Sequence, residues 1–404
     1  MTLTRRHFLT RSAAIGCSAA ASPLLTPVSF AAAPWDTRLV VIILRGGLDA
    51  LDMVQPYGDP DYAGLRVKLA GGPLKGGLDL DGFFSLHSEL SRLMPLWRAG
   101  ELGFVHAVST PYRNRRSHFD GQDLLEAGSM GIGQVPDGWL NRMLQHMGGV
   151  ENRTAFAIGQ GEMKLLHGGA PVSEWGPDAA LILSPQAQLL AEQMMQGDPL
   201  FHSALAEALT LSQGGGAQQD PEGDDSSMME MTMPVPSRGK AHQKIAEYAA
   251  ERLRNETRVA AFSINGWDTH SRQVAGLKAG FGRLSDCILT LRDGVGPTVW
   301  NKTAVLAMTE FGRTVRENGT GGTDHGTGGA MLLAGGAIRG GKVHGRWPGL
   351  AEADLFDRRD LMPTADVRGQ AAWVLQGLIG VGRETLEQVV FPGLEMGEDP
   401  GLLL

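Results

Sequence analysis

Residues 39–52 read L-V-V-I-I-L-R-G-G-L-D-A-L-D. A strand that wets one face alternates apolar with polar residues, and Leu39–Leu44 does not alternate. An unbroken β-branched and leucine run predicts a strand covered on both faces, as in a parallel sheet sandwiched between helices. Arg45-Gly46-Gly47 ends the run, and Asp49 stands just beyond its carboxyl end.

Weaker runs of the same kind occur at Leu102–Val108, Thr154–Ile158, Arg258–Ile264, Thr303–Met308 and Ala330–Leu333. Helical periodicity lies between them, at Leu86–Arg98, Ala241–Glu256, Gly276–Leu291 and Arg368–Ile379. Strands alternating with helices predict an α/β fold with a mostly parallel central sheet flanked by helices. The 404 residues are 42% hydrophobic, enough for one large core, and the 56 glycines with only 6% aromatics predict many tight turns. Residues 212–238 are polar, proline-bearing and aperiodic, which reads as a flexible insertion within one domain spanning 34–404.

Residues 1–33 read as an export signal rather than as part of the fold. Arg5-Arg6 with Phe8-Leu9 precedes a weakly apolar, alanine-rich stretch broken by Pro23 and Pro27, and small residues at 29–33 offer a cleavage site. The pattern is of the twin-arginine type, so the expected partner is that translocation machinery and the expected location is periplasmic or secreted. Without the three arginines of this segment the chain keeps 33 basic and 44 acidic residues, a net charge of −11. That balance gives no basic face for nucleic acid. Cys287 is the single cysteine left, so no internal disulfide is expected. No later apolar run reaches the ~18 residues of a membrane span.

In an open parallel sheet, ligands bind beyond the carboxyl ends of the strands. The residues just past each predicted strand are therefore informative. Asp49 lies past the first, and Arg113, Arg115, Arg116, Ser117 and His118 past the second. Asn265-Gly-Trp-Asp268-Thr-His270 comes next, then Thr309-Glu310-Phe-Gly-Arg313, then the glycine-rich segment with Asp324 and His325, and last His344. Carboxylates and imidazoles without a thiolate cluster suit zinc, manganese, iron or magnesium, zinc first. Asp49, Asp268, His270, Asp324, His325 and His344 supply enough donors for two divalent ions sharing an edge. Glu310 is a further ligand or a partner of an arginine such as Arg313. Asp49 also reads as a helix N-cap, and His118 with Asp120 follows a helix-start pattern that leaves structural and catalytic roles both open.

These segments, R-G-G-L-D, R-S-H-F-D-G-Q-D, N-G-W-D-T-H, T-E-F-G-R-T, G-G-T-D-H-G-T-G-G, V-H-G-R-W-P-G-L and L-M-P-T-A-D-V-R, together resemble the DUF1501 family of exported bacterial proteins. That family is similar in turn to the alkaline phosphatase and sulfatase superfamily. The resemblance implies an alkaline-phosphatase-like fold, with Asp49 as the first-strand ligand and Ser117 in the nucleophile region. It implies Asp268 with His270 as one metal pair, Asp324 (or Glu310) with His325 as the other, and His344 as the last ligand. The chain lacks Cys-x-Pro-x-Arg, which argues against a formylglycine sulfatase.

The expected activity is metal-dependent hydrolysis of a small anionic phosphate or sulfate ester. Ser117 and Arg116 would be catalytic, and Arg113 and Arg115 would grip the anion with their guanidinium forks. The alternative is a non-catalytic periplasmic metal-binding protein that binds a partner or glycan on the same fold.

Overall fold

The computed structural model describes residues 33, 35–113, 116–159, 163–176 and 241–404. Residues 1–32, Arg115 and the expected insertion at 212–238 lie outside the described residues.

Among the described residues twelve strands occur in chain order: Arg38–Arg45 (β1), Val54–Gln55 (β2), Leu78–Asp79 (β3), Ser85–Leu86 (β4), Leu102–Ser109 (β5), Ala155–Ile158 (β6), Ser173–Trp175 (β7), Val259–Asn265 (β8), Thr303–Met308 (β9), Gly329–Ala334 (β10), Val343–His344 (β11) and Ala365–Asp366 (β12). Nine form the central sheet in the order β11-β5-β10-β9-β1-β8-β6-β7, with β12 beside β5. β2, β4 and β3 make a small antiparallel sheet. The longer helices are His118–Ala127 (α1), Trp139–Gln145 (α2), Ala241–Arg254 (α3), Gln273–Val295 (α4) and Val367–Ile379 (α5).

The run at 39–44 lies at the heart of the sheet, between β8 and β9 and parallel to both. Successive side chains of a strand point to opposite faces. Val40, Ile42 and Leu44 accordingly pack with residues of α3 and α4, such as Leu253 and Phe281. Leu39, Val41 and Ile43 join the opposite core with Leu140 of α2 and Leu375 of α5. Both faces are covered, so the run has no polar side to alternate with. The expected helix at 86–98 is instead a 3₁₀ segment at Ser88–Leu93 that continues as α-helix over Met94–Arg98. No helix among the described residues is long and apolar enough to cross a membrane.

One strand breaks the parallel pattern. β10 runs antiparallel to both β5 and β9, its neighbours. The segment before β10 therefore arrives at the carboxyl end of β5, β9, β1 and β8, and the segment after it leaves at the opposite end. This reversal decides which sequence motifs meet.

Candidate metal centre

Four connections converge beyond the carboxyl ends of the parallel strands. After β8 the chain stays extended and alternates: Trp267 and Thr269 are buried, whereas Asp268 and His270 face outward. The Trp267 indole N–H donates to the Ile264 carbonyl at 2.8 Å, anchoring the loop in the core. After β9, residues 312–314 pair with 324–326, with Thr314 N donating to Asp324 O and Gly326 N to Gly312 O, both at 2.9 Å. A Cβ on Gly312 would stand 1.8 Å from the Gly328 carbonyl, and one on Gly322 would stand 2.3 Å from the Thr269 carbonyl. Glycine is needed at these two positions because backbone meets backbone there. After β5, Ser117 caps α1 by accepting the Asp120 N–H, and His118 occupies the first turn.

The result is a group of donor atoms on His118, Asp268 and His325, all within 4.8 Å of one another. His118 Nε2 lies 3.4 Å from Asp268 Oδ2, and His325 Nε2 lies 3.4 Å from Asp268 Oδ1. His270 Nε2 adjoins the group, 3.2 Å from Asp268 Oδ1 and 2.9 Å from His325 Nε2.

Each imidazole is held from behind. His325 Nδ1 faces the Arg116 carbonyl at 3.0 Å, and a carbonyl only accepts, so Nδ1 carries the proton. His118 Nδ1 donates to Glu310 Oε1 at 2.9 Å, and His270 Nδ1 to Asp324 Oδ1 at 3.2 Å. All three rings then present an Nε2 lone pair to the Asp268 side. Backing of this kind fixes tautomer and ring angle in metal-binding histidines.

The donors fit a divalent cation on two further counts. His118 Nε2 is buried without a hydrogen-bond partner. His270 Nε2 and His325 Nε2 face each other at 2.9 Å, a contact that a cation between the two lone pairs satisfies, as would a shared proton. Ligands ~2.0–2.1 Å from a zinc-sized ion sit about 3.0–3.4 Å apart. The four separations between adjoining donors, 2.9–3.4 Å, match, within a group whose atoms lie up to 4.8 Å apart.

Charge supports the arrangement. Burial pushes the Asp268 carboxyl up, but the hydrogen bond and charge of Arg313 outweigh it and hold Asp268 below the usual range. Arg313 is fully buried; its Nη2 meets Asp268 Oδ1 at 2.6 Å and its Nε donates to the Gly47 carbonyl at 2.6 Å. Glu310 is likewise pushed up by burial and brought down further by the donors around it. Oε1 accepts from Gly46 N at 2.8 Å, from His118, and from Gln122 Nε2 at 3.2 Å, and Oε2 accepts from Thr309 Oγ1 at 3.0 Å. The Glu310 hydrogen bond raises His118, whereas burial and the neighbouring Arg313 and His118 lower His325. Phe311 packs against the His118 and His325 rings.

Several sequence expectations are corrected. His344 is not in the group: it lies on β11 beside Val105, and its Nε2 meets the Arg339 carbonyl, 2.9 Å away. The reversal of β10 carries it to another part of the sheet. Asp49 is spent as well. Its Oδ1 caps Leu51 N at 3.1 Å, and its Oδ2 meets Arg66 Nη1 at 2.7 Å and Gln273 Nε2 at 2.6 Å, in full burial. Glu310 stands behind His118 rather than in the group. Arg113 turns back onto Ser109 Oγ and the Tyr112 carbonyl, at 2.9 and 2.7 Å, so its fork does not face the centre. Arg116 contributes its backbone carbonyl, and its exposed side chain makes no hydrogen bond to a described residue. His118 reads from the sequence as a helix start, and the structure makes it a donor as well. Among the described residues one such group is found, not two.

The fold is similar to solved structures at low identity. The lipoteichoic acid synthase LtaP from Listeria monocytogenes is 8% identical with a TM-score of 0.42, over 94% of this chain and 79% of that one. The PsFucS1 sulfatase from Pseudoalteromonas sp. is 12% identical with a TM-score of 0.41, over 91% and 73%. The alkaline phosphatase from the Antarctic bacterium TAB5 is 9% identical with a TM-score of 0.33, over 75% and 91%. No curated protein matches the sequence significantly. A family model described as a protein of unknown function, DUF1501, matches residues 177–385. That match spans more than half of the sequence, and the chain belongs to the DUF1501 family.

Proposed function

We propose that the protein is an exported, divalent-metal-dependent hydrolase of phosphate or sulfate esters. The observation that carries the metal is the set of three imidazoles, each with Nδ1–H taken by an acceptor and Nε2 turned toward Asp268. The ester class rests on the resemblance of the chain's motifs to the alkaline phosphatase and sulfatase superfamily.

His118, Asp268 and His325 would hold the ion, with His270 as the fourth donor. When bound, it would supply Lewis-acid polarisation of a phosphoryl or sulfuryl oxygen. The rest falls to the chain. Glu310 and Arg313 hold His118 and Asp268 in register, so no reorganisation is required when substrate arrives. The side chains of Asp268 and His270 are each 46% exposed, so substrate approaches from that side. Arg116, exposed and joined to the group through its backbone carbonyl, would supply a guanidinium for nonbridging anionic oxygens. Ser117 Oγ, one residue from His118, is the side-chain oxygen available for attack, with a water as its competitor.

The test is metal content per chain by mass spectrometry, followed by a screen of phosphate and sulfate esters, on wild type and Asp268→Ala. The expected result is bound divalent metal and ester turnover in wild type, both lost in the variant. A variant that keeps both would overturn the assignment. Metal without turnover would favour the non-catalytic binding protein, and Ser117→Ala separates serine attack from water attack.

A further inference from the structure

We propose, building on the metal reading of the centre, that Gln273 is a positioning residue for the donors: its buried side-chain amide ties the loop carrying Asp268 and His270 to the segment carrying Asp324 and His325. Gln273 opens α4 and is fully buried. Its Oε1 accepts from Thr269 Oγ1 at 3.0 Å and from Thr323 Oγ1 at 2.7 Å. Its Nε2 donates to Asp49 Oδ2 at 2.6 Å and to Asp52 Oδ2 at 3.0 Å. A primary amide has two protons to give and two lone pairs to fill, and every one is used here. The neighbours fix which end is which, because a reversed amide would set its oxygen against two carboxylates.

Both threonines are inward-facing neighbours of donors. Thr269 is buried between the exposed Asp268 and His270 on an extended stretch, where successive side chains point opposite ways. Holding Thr269 from below therefore sets the pitch of both. Thr323, fully buried, directly precedes Asp324 and His325. Its carbonyl accepts from Arg313 Nη1 at 3.1 Å, and its N–H donates to the Thr269 carbonyl at 3.2 Å. Its hydroxyl also lies 3.4 Å from Asp49 Oδ2, but it has one proton, and the 2.7 Å contact with Gln273 takes it. The Gln273 N–H donates to the Gly321 carbonyl at 3.0 Å, closing the same segment onto α4.

The other end of the amide is anchored too. Asp49 pairs with the buried Arg66 at 2.7 Å, and Arg66 donates onward to the Val315 and Thr314 carbonyls, both at 2.9 Å. Thr314 in turn pairs with Asp324 through its backbone N–H. Asn318 Nδ2 and Thr320 Oγ1 also reach the His270 carbonyl, at 2.8 and 2.7 Å, but they do so at the surface, where water competes. The Gln273 link is shielded from that competition. Backbone strain points to the same residue, because Arg272 adopts φ 51°. A left-handed non-glycine residue persists where its surroundings hold it, and the hydrogen bonds of Gln273 supply that hold.

The experiment measures zinc affinity by competition with a chromophoric chelator, and the visible spectrum of the cobalt(II)-loaded chain, on wild type and variants. Thr269→Val and Thr323→Val each remove one hydroxyl at nearly constant volume. Each should lose about fivefold in zinc affinity, and the two together about twentyfold. The cobalt bands report ligand geometry rather than stability, and they should shift in the double variant. Gln273→Met should match that double variant, and the threonine variants carry the test if it fails to fold. Thr269→Ser and Thr323→Ser keep the hydroxyl and should retain wild-type affinity and spectrum. A melt of each metal-free chain shows that it is folded. A double valine variant within about twofold of wild type, with an unshifted spectrum, overturns the proposal. Equal losses in the serine and valine variants overturn it as well, because methyl packing would then be the cause. Wild type that binds neither ion refutes the metal centre itself, whereas wild type that binds beside an unaffected double variant refutes only the role of Gln273.

Discussion

Glu310→Gln isolates a charge behind the centre without removing a bond. The glutamine oxygen can take the place of Oε1 and keep the Gly46, His118 and Gln122 donors. The amide nitrogen then faces Thr309 Oγ1, a hydroxyl that accepts from Leu48 N at 3.0 Å and whose single proton, released from Oε2, turns to the Leu44 carbonyl at 2.9 Å. What is lost is the ionic character of the His118 Nδ1–H bond. A hydrogen bond to a charged group contributes about 1.5–3 kcal/mol and a neutral one about half that, a difference on the order of 1–1.5 kcal/mol. The expected outcome is a fall in zinc affinity of about tenfold, the lower end of the ~10–100-fold range for such backing residues. Competition against a chromophoric chelator at neutral pH measures it, beside a thermal melt of the metal-free chain. Affinity within twofold of wild type, in a folded variant, would refute the view that Glu310 tunes the centre through His118.

The core and the proposed export signal supply two more predictions. Burial pushes His106 down to about 4: its Nδ1 accepts from Ala107 N at 2.9 Å and its Nε2 donates to the Val54 carbonyl at 3.0 Å, so only the neutral ring satisfies both partners. The unfolded chain binds this proton below the ordinary value near 6.5 and the folded chain below about 4. Stability from the neutral ring is therefore complete above 6.5 and is lost as pH falls toward 4, by about 3 kcal/mol over the window. Urea midpoints across that range should fall more steeply for wild type than for His106→Gln, and equal slopes would refute it. For export, the intact mass of protein recovered from the periplasm should correspond to cleavage near residue 33, and should be absent when Arg5 and Arg6 are both lysine. A full-length periplasmic mass would refute a cleaved leader.

Much of the architecture was legible because it depends on local chemistry. A strand buried on both faces needs an unbroken apolar run, and 39–44 is such a run wherever it is read. The alternation of Trp267 and Thr269 with Asp268 and His270 likewise shows two donors on one side of an extended segment.

What remained hidden concerns partners and directions. Strand direction leaves no mark in an apolar run, so β10 read like its parallel neighbours, and His344 was assigned to the wrong end of the sheet. A carboxylate just past a strand looks the same whether it binds an ion or a guanidinium. Only folding brings Arg66 to Asp49, and Glu310 to the back of His118. By itself, then, the sequence determined the α/β class, the family and the residue types able to hold a divalent ion. Tertiary structure alone decided that His118, Asp268 and His325 meet while Asp49 and His344 do not, because convergence depends on strand direction and on which counter-ion the fold brings to each buried charge.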